Sequence, residues 1–223
     1  MSKLIWATVL FVIFMIIAIP FVLALLLKYV PYNIQPGLAG TQDIYGLIKV
    51  SQDFVAQKDN LTGVGLSIKN PNLKNKKDLT LELYDDRGNL MRTTVVNGAS
   101  IEDGDFVKLI FDPVESSLNR KFKVDLFSRP TGKEDVLQPF YTQEEISWMS
   151  NIVLDNGLEA RELEVSLAMV TFHKPASKLA LVKQISEGVS DRFFSDKAFS
   201  IFYLLTLSLV LILLLLSKLP PRR

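Results

Sequence analysis

The chain has 223 residues, with 25 Lys and Arg, 24 Asp and Glu, one His and no Cys. Without cysteine there is no disulfide, no thiolate metal site and no cysteine nucleophile. Every acidic residue lies between positions 29 and 197, where 24 carboxylates face 20 Lys and Arg. That acidic middle argues against a nucleic-acid partner, because such binding neutralises phosphates with Lys and Arg.

Residues 4–27 form an uncharged apolar run. About 20 residues at about 1.5 Å each cross a hydrocarbon core ~30 Å thick, so the run predicts a transmembrane helix. A signal peptide would have an apolar core of about 7–15 residues followed by small residues. Here Lys28-Tyr-Val-Pro31 follows, which predicts an uncleaved anchor. Pro20 is tolerated inside a span. Residues 28–43 carry Pro31, Pro36, Gly37 and Gly40 and read as an extended linker.

From Ile44 the apolar period changes to two, and residues 44–174 read as one β-rich domain. The expected strands are Ile44–Val55, Leu61–Asn70, Leu79–Tyr84, Leu90–Val96, Phe106–Asp112, Lys121–Phe127 and a long closing strand, Leu163–Phe172. Val64, Leu66 and Ile68 share one face, as do Leu79, Leu81 and Leu83, and Phe122, Val124 and Leu126. Asp85-Asp-Arg-Gly-Asn89 reads as a hairpin turn, with Gly88 available for positive φ. Asn70–Asp78 reads as a polar loop. Residues 143–156 read either as a short helix, opened by a capping box at Thr142 and Glu145, or as an irregular loop. Short strands separated by turns, with no alternating helices, predict a mainly β fold. The expected form is an antiparallel, jelly-roll-like β-sandwich flanked by two transmembrane helices.

Residues 175–197 place Leu179, Val182, Ile185, Val189 and Phe193 at helical spacing. This predicts an amphipathic juxtamembrane helix that lies in the outer membrane interface or packs on the sandwich. Residues 198–217 are the second predicted span, and 218–223 a basic tail. Phe199, Phe202 and Tyr203 at one end, and Lys218, Arg222 and Arg223 at the other, suit the two membrane interfaces. The basic tail predicts a two-pass plasma-membrane protein with both termini cytoplasmic and the central domain outside.

Four segments in order carry a resemblance: Val50-Ser-Gln-Asp-Phe54, Asn60-Leu-Thr-Gly-Val-Gly-Leu66, Leu79-Thr-Leu-Glu-Leu-Tyr-Asp-Asp-Arg-Gly-Asn89 and Phe106-Val-Lys-Leu-Ile-Phe111. Together they resemble a jelly-roll domain of bacterial membrane proteins, often attached to polytopic glycosyltransferases of the lipid-linked sugar type. In that pattern a Gln-x-Phe strand precedes a Leu-x-Gly-Ile/Val-x-Leu strand, and a Leu-x-x-x-Leu-x-Asp-x-x-Gly hairpin and a strand ending at a Pro, here Asp112-Pro113, follow. The resemblance spans about Val50–Phe127 and implies a fold similar to carbohydrate-binding modules. The chain lacks the many spans of those transferases, so their activity does not carry over.

The chain has no Gly-x-Ser-x-Gly elbow and no phosphate-cradling Gly-Lys-Ser/Thr. No cofactor and no catalytic residue is expected. His173 reads as a partly exposed residue at a strand end. Asp103 and Asp105 could offer oxygen ligands to calcium, although a plain polar turn accounts for them. Phe140, Tyr141 and Trp148 could form an aromatic platform for sugar, or could fill one end of the core. The expected function is a non-catalytic, outward-facing module. It would bind membrane lipid through its anchors and either an envelope glycan or an integral membrane glycosyltransferase. The alternative is a structural subunit of a membrane complex without a glycan ligand.

Overall fold

The computed structural model describes residues 11, 14, 18, 21–22, 24–129 and 136–217. They fall into two compact units, Tyr29–Lys174 and one made of the two ends of the chain.

The unit Tyr29–Lys174 is built of two antiparallel sheets. The six-stranded sheet contains β3 (Lys49–Val55), β5 (Leu79–Asp85), β6 (Leu90–Val96), β8 (Lys121–Ser128), β10 (Met149–Asp155) and β11 (Ala160–Leu163). Its order is β11-β10-β3-β8-β5-β6. The seven-stranded sheet contains β1 (Val30–Pro31), β2 (Gly40–Thr41), β4 (Leu61–Lys69), β7 (Asp105–Val114), β9 (Gln138–Thr142), β12 (Ser166–Leu167) and β13 (Met169–His173). Its path runs β1-β13-β4-β9-β12, with β7 on β4 and β2 on β9. One core serves both sheets: Val64, Leu66, Ile68 and Leu109 from one pack with Phe54, Leu81, Leu83, Phe122 and Val124 from the other. Alternation puts every second side chain of a strand on the same face, and these are the faces the sequence marks as apolar.

The glycines of the Leu61–Leu66 motif have a packing reason. β4 is buried on both faces. A Cβ at Gly65 would lie 2.6 Å from the Phe106 ring and 2.7 Å from that of Phe172. Those two rings meet edge-to-face over the strand, 6.4 Å apart. The Gln-x-Phe motif is structural as well. Phe54 fills the core, while buried Gln52 donates to the Ser150 carbonyl (2.7 Å) and accepts from the Leu167 amide (2.8 Å). One side chain thereby joins β3 of one sheet to β12 of the other. At the opposite side, edge strands β6 and β7 are also tied. Thr94 Oγ1 donates to the Ile110 carbonyl and Arg92 Nε to that of Asp112, which occupies backbone groups that an open edge would expose.

Four expectations change. The predicted linker is laid onto the seven-stranded sheet, contributing β1 and β2. Pro31 lacks an N–H, and side-chain amides continue the pairing. Asn33 accepts from the Thr171 amide and donates to the Met169 carbonyl, and Gln35 donates to the Ala168 carbonyl. The expected first strand begins only at Lys49, because Gly46 turns at φ +59°; Ile44 makes a single bridge to Leu137. Residues 143–156 are neither helix nor plain loop: a short loop leads into β10, which inserts between β3 and β11. The closing strand is three strands, with β11 in one sheet and β12 and β13 in the other.

In the unit formed by the chain ends, residues 21–22 and 24–26 are helical. Helix α1 spans Lys178–Ser195 and α2 spans Lys197–Ser217. Ser177 caps α1 by accepting from the Ala180 amide, and Asp196 caps α2 through the Ala198 and Phe199 amides. Lys178 Nζ donates to the carbonyls of Ala24 and Leu27, each at 2.7 Å. A cation there suits the negative end of the first helical segment. The buried position on α1 is Leu181, at 1% exposure, whereas Leu179 of the predicted apolar stripe is 78% exposed. Among the described residues no helix is long and apolar enough to cross a membrane. Much of the predicted first span, the side chains at 207, 210, 211 and 213–217 of the second, and Lys218, Arg222 and Arg223 lie outside the described residues.

Candidate functional site

The outer face of the six-stranded sheet carries the side chains that alternate with the core. They are Lys49, Ser51 and Asp53 of β3, Lys121, Lys123, Asp125 and Phe127 of β8, Thr80, Glu82 and Tyr84 of β5, and Val153 and Asp155 of β10. Register puts Ser51 opposite Asp125 and Asp53 opposite Lys123 on one side, and Glu82 opposite Asp125 on the other. Opposite charges across neighbouring strands attract and like charges repel at these spacings, so the facing carboxylates Glu82 and Asp125 need the lysines and hydroxyls around them.

Asp125 is the centre of that lacing. Its side chain is only 3% exposed. Ser51 Oγ donates to it at 2.7 Å, Lys49 Nζ lies 2.9 Å away and Lys123 Nζ 3.3 Å away. A carboxylate this deep requires such partners. Lys49 also approaches Asp155 at 3.7 Å, and Lys121 pairs with Asp53 at 2.7 Å. Burial alone would lower the Lys49 pKa, but the hydrogen bond and charge of Asp125, joined by Asp155, raise it overall. Lys121 is raised by its hydrogen bond to Asp53. The Tyr84 hydroxyl donates to Glu82 at 2.6 Å, and this bond, with burial second, pushes its pKa up to about 12.

Three adjoining depressions make this face a groove. The first, about 360 Å³, is lined by Ser51, Asp53, Lys123, Ser150, Val153 and Asp155 among others. The second, about 230 Å³, shares Asp155 and adds Leu47, Lys49, Glu82, Phe127, Arg129 and Gly157. The third, about 390 Å³, shares Phe127 and Arg129 and adds Lys77, Asp78 and Thr80. The chain of shared residues runs across the strands from β10 to the loop before β5.

Lys49 and Tyr84 both hold their protons more tightly in the folded chain than in the unfolded one. What they contribute to stability is therefore complete below about pH 10 and lost as pH rises through the folded values. The melting temperature is expected to fall between about pH 10 and pH 12, and Tyr84→Phe should flatten part of that fall. A pH series of melting curves on the two proteins checks it; parallel curves would contradict it.

The residues singled out from sequence lie elsewhere. Phe140 and Tyr141 are consecutive in β9 and so face opposite sides of the sheet. Tyr141 packs on the core, and its ring covers Gly40. Trp148 also packs on the core, edge-on to Tyr32 at 5.9 Å. The three do not share one face. Asp103 accepts from the Asn70 amide and Asp105 from the Glu102 amide, as turn residues do. Among the described residues no group of His, Cys, Asp and Glu is arranged to hold a metal ion. His173 is buried at the end of β13, not partly exposed. Phe199 and Tyr203 stack at 5.8 Å on α2, and Phe202 is exposed.

A further depression, about 500 Å³, lies beside the β9–β10 loop, lined by Glu144, Glu145, Glu162 and Glu164 among others. Glu144 accepts from the Gly37 amide and Glu162 from Asn151, so two of these carboxylates serve the loop itself. The groove residues were open to detection from sequence. Lys49-x-Ser51-x-Asp53 and Lys121-x-Lys123-x-Asp125 place charged or polar side chains on successive outward positions of two strands. No protein-family model matches the chain and no curated protein matches it, so the groove and the fold carry the functional argument.

Proposed function

We propose that the chain is a non-catalytic, membrane-anchored module whose jelly-roll-like domain holds an envelope glycan in the groove of its six-stranded sheet. The observation that carries this reading is the lattice around Asp125, where Ser51, Lys49 and Lys123 converge on one buried carboxylate. A sugar hydroxyl both donates and accepts a hydrogen bond. Fixed rows of ammonium groups and carboxylates offer it both at once, at little cost in side-chain ordering. The groove carboxylates Asp53, Asp125 and Asp155 are ion-paired to lysines, which suits holding a ligand rather than shuttling protons.

The anchors follow from the uncharged runs 4–27 and 198–217. Both spans cross the plasma membrane, both termini are cytoplasmic and the domain faces outward. Leu179 and Phe194, 78% and 86% exposed on α1, sit in the outer interface. The resemblance of Val50–Phe127 to domains attached to glycosyltransferases makes such a membrane enzyme the natural partner.

Two measurements test this. The chain has no Cys, so Leu158→Cys should be labelled by an impermeant maleimide on intact cells, and Ser2→Cys only after permeabilisation. The reverse pattern overturns the orientation. The full chain in lipid nanodiscs should bind members of a glycan panel, and Lys49→Ala should weaken that binding about tenfold. No bound glycan, with a protein co-purifying instead, would replace this reading with an assembly role.

A further inference from the structure

We infer that the Phe127–Arg129 end of the groove is a subsite for an anionic substituent, so that the glycan held there is an acidic one. The inference rests on the groove being a glycan site and adds the class of sugar.

The charges along the groove are not uniform in their pairing. From β10 to β5 each outward carboxylate has a partner: Asp155 and Asp125 meet Lys49, Asp53 meets Lys121, and Glu82 accepts from Tyr84. At the far end the pattern reverses. Arg129 and Lys77 line the same depression, and among the described residues neither forms an ion pair. One carboxylate, Asp78, lines it with them. Among the described residues that line it, two cations therefore meet one anion, in a depression next to a surface whose charges are already matched.

Geometry prepares the pair. The Arg129 guanidinium sits over the Phe127 ring, 5.1 Å from its centroid. An arginine stacked on an aromatic face has lost part of its rotamer freedom beforehand and keeps its in-plane N–H groups for a second partner. Those N–H groups form a fork that matches a carboxylate, phosphate or sulfate. Lys77 is held from the other side. Its amide donates to Asn75 Oδ1 at 2.6 Å, and Asn75 is fully buried. A Cβ at Gly98 would collide with the Lys77 carbonyl, so the backbone there lies directly against its neighbour. The loop that carries Lys77 is thus anchored in the interior while its side chain remains exposed.

A uronate carboxylate, a sulfate ester and a phosphate ester share this chemistry, and the test separates them. The full chain in nanodiscs is titrated with four oligosaccharides: a uronic-acid oligomer, its neutral methyl ester, and sulfated and phosphorylated oligomers. Wild type is compared with Arg129→Gln, Arg129→Lys and Phe127→Leu, with melting curves confirming that each variant is folded. At least one acidic oligomer should bind about tenfold or more tightly than the neutral ester, and Arg129→Gln should remove that preference. Arg129→Lys should keep only part of it, because a lysine neither stacks nor forks. The preference should also shrink with added salt. Neutral and acidic oligomers bound alike, or a preference untouched by Arg129→Gln, overturns the anionic subsite and leaves the groove reading intact. Failure of all four oligomers to bind overturns both.

Discussion

Asn70→Ala is expected to cost the domain about 3 kcal/mol, enough to lower its melting temperature by roughly 6–12 °C. Asn70 is buried to 1% exposure. Its Nδ2 donates to the carbonyls of Asn75 (3.2 Å), Gly98 (3.4 Å) and Ile101 (2.9 Å), and its Oδ1 accepts from the Asn75 amide (3.1 Å). The three carbonyls belong to two chain segments, one at Asn75 and one from Gly98 to Ile101, which this side chain joins. Alanine takes this partner from the Asn75 amide and from the Asn75 and Ile101 carbonyls, at about 1–3 kcal/mol for each that water cannot reach, while the Gly98 carbonyl keeps its bond from the Ile101 amide. The damage then spreads to the groove, because Asn75 fixes Lys77. Denaturant unfolding measures the loss. A variant within about 0.5 kcal/mol of wild type would mean that water replaces the amide, and that the loop is not pinned as described.

Asp125→Asn should cost about 2 kcal/mol and abolish groove binding. Removing one partner of a fully buried ion pair costs about 3–5 kcal/mol. The value here is lower because the partners Lys49 and Lys123, with side chains 29% and 42% exposed, recover some hydration when the carboxylate is neutralised. Asparagine keeps the shape and can still accept from Ser51, so the loss reports charge rather than packing. The control is Lys121→Ala. Its pair with Asp53 joins side chains 59% and 36% exposed, and exposed pairs contribute about 0.2–1 kcal/mol. Melting and glycan titration of both variants make the comparison. Equal effects of Asp125→Asn and Lys121→Ala would remove Asp125 from the centre of the site.

The fold was legible where a strand pairs one apolar face with one polar face. Leu79, Leu81 and Leu83 alternate cleanly and are buried at 1% exposure or less, and the Asp85–Asn89 turn closes as its residues imply. Gly88 takes φ +79° and Asp85 accepts from the Arg87 and Asn89 amides. β10 was hidden because Ser150 and Asn151 interrupt its apolar residues and Ile152-Val153-Leu154 shows no alternation. The Leu163–Phe172 run reads as one strand because hydropathy does not record where a chain leaves one sheet for another. That exchange depends on Gln52, over a hundred residues away, receiving the Leu167 amide. Proline and glycine between 31 and 40 signal coil, while the amides of Asn33 and Gln35 that bind this segment to β13 carry no periodic signature.

The groove was less legible for a related reason. The charges of β3 and β8 are visible in sequence, but their meaning depends on the order β10-β3-β8-β5, which long-range pairing decides. Aromatic residues drew attention to Phe140, Tyr141 and Trp148, yet neighbours in a strand point apart. Phe127 is aromatic too; only its place beside Arg129 on an outward face distinguishes it.

Photo-crosslinking tests the central claim most directly. A panel glycan that binds the full chain is given a diazirine and irradiated in place, and the modified peptides are read by mass spectrometry. Crosslinks should fall within 49–53 and 121–129 and disappear in Asp125→Asn. Crosslinks within 138–148, or none above background, would contradict a glycan-binding groove on the six-stranded sheet.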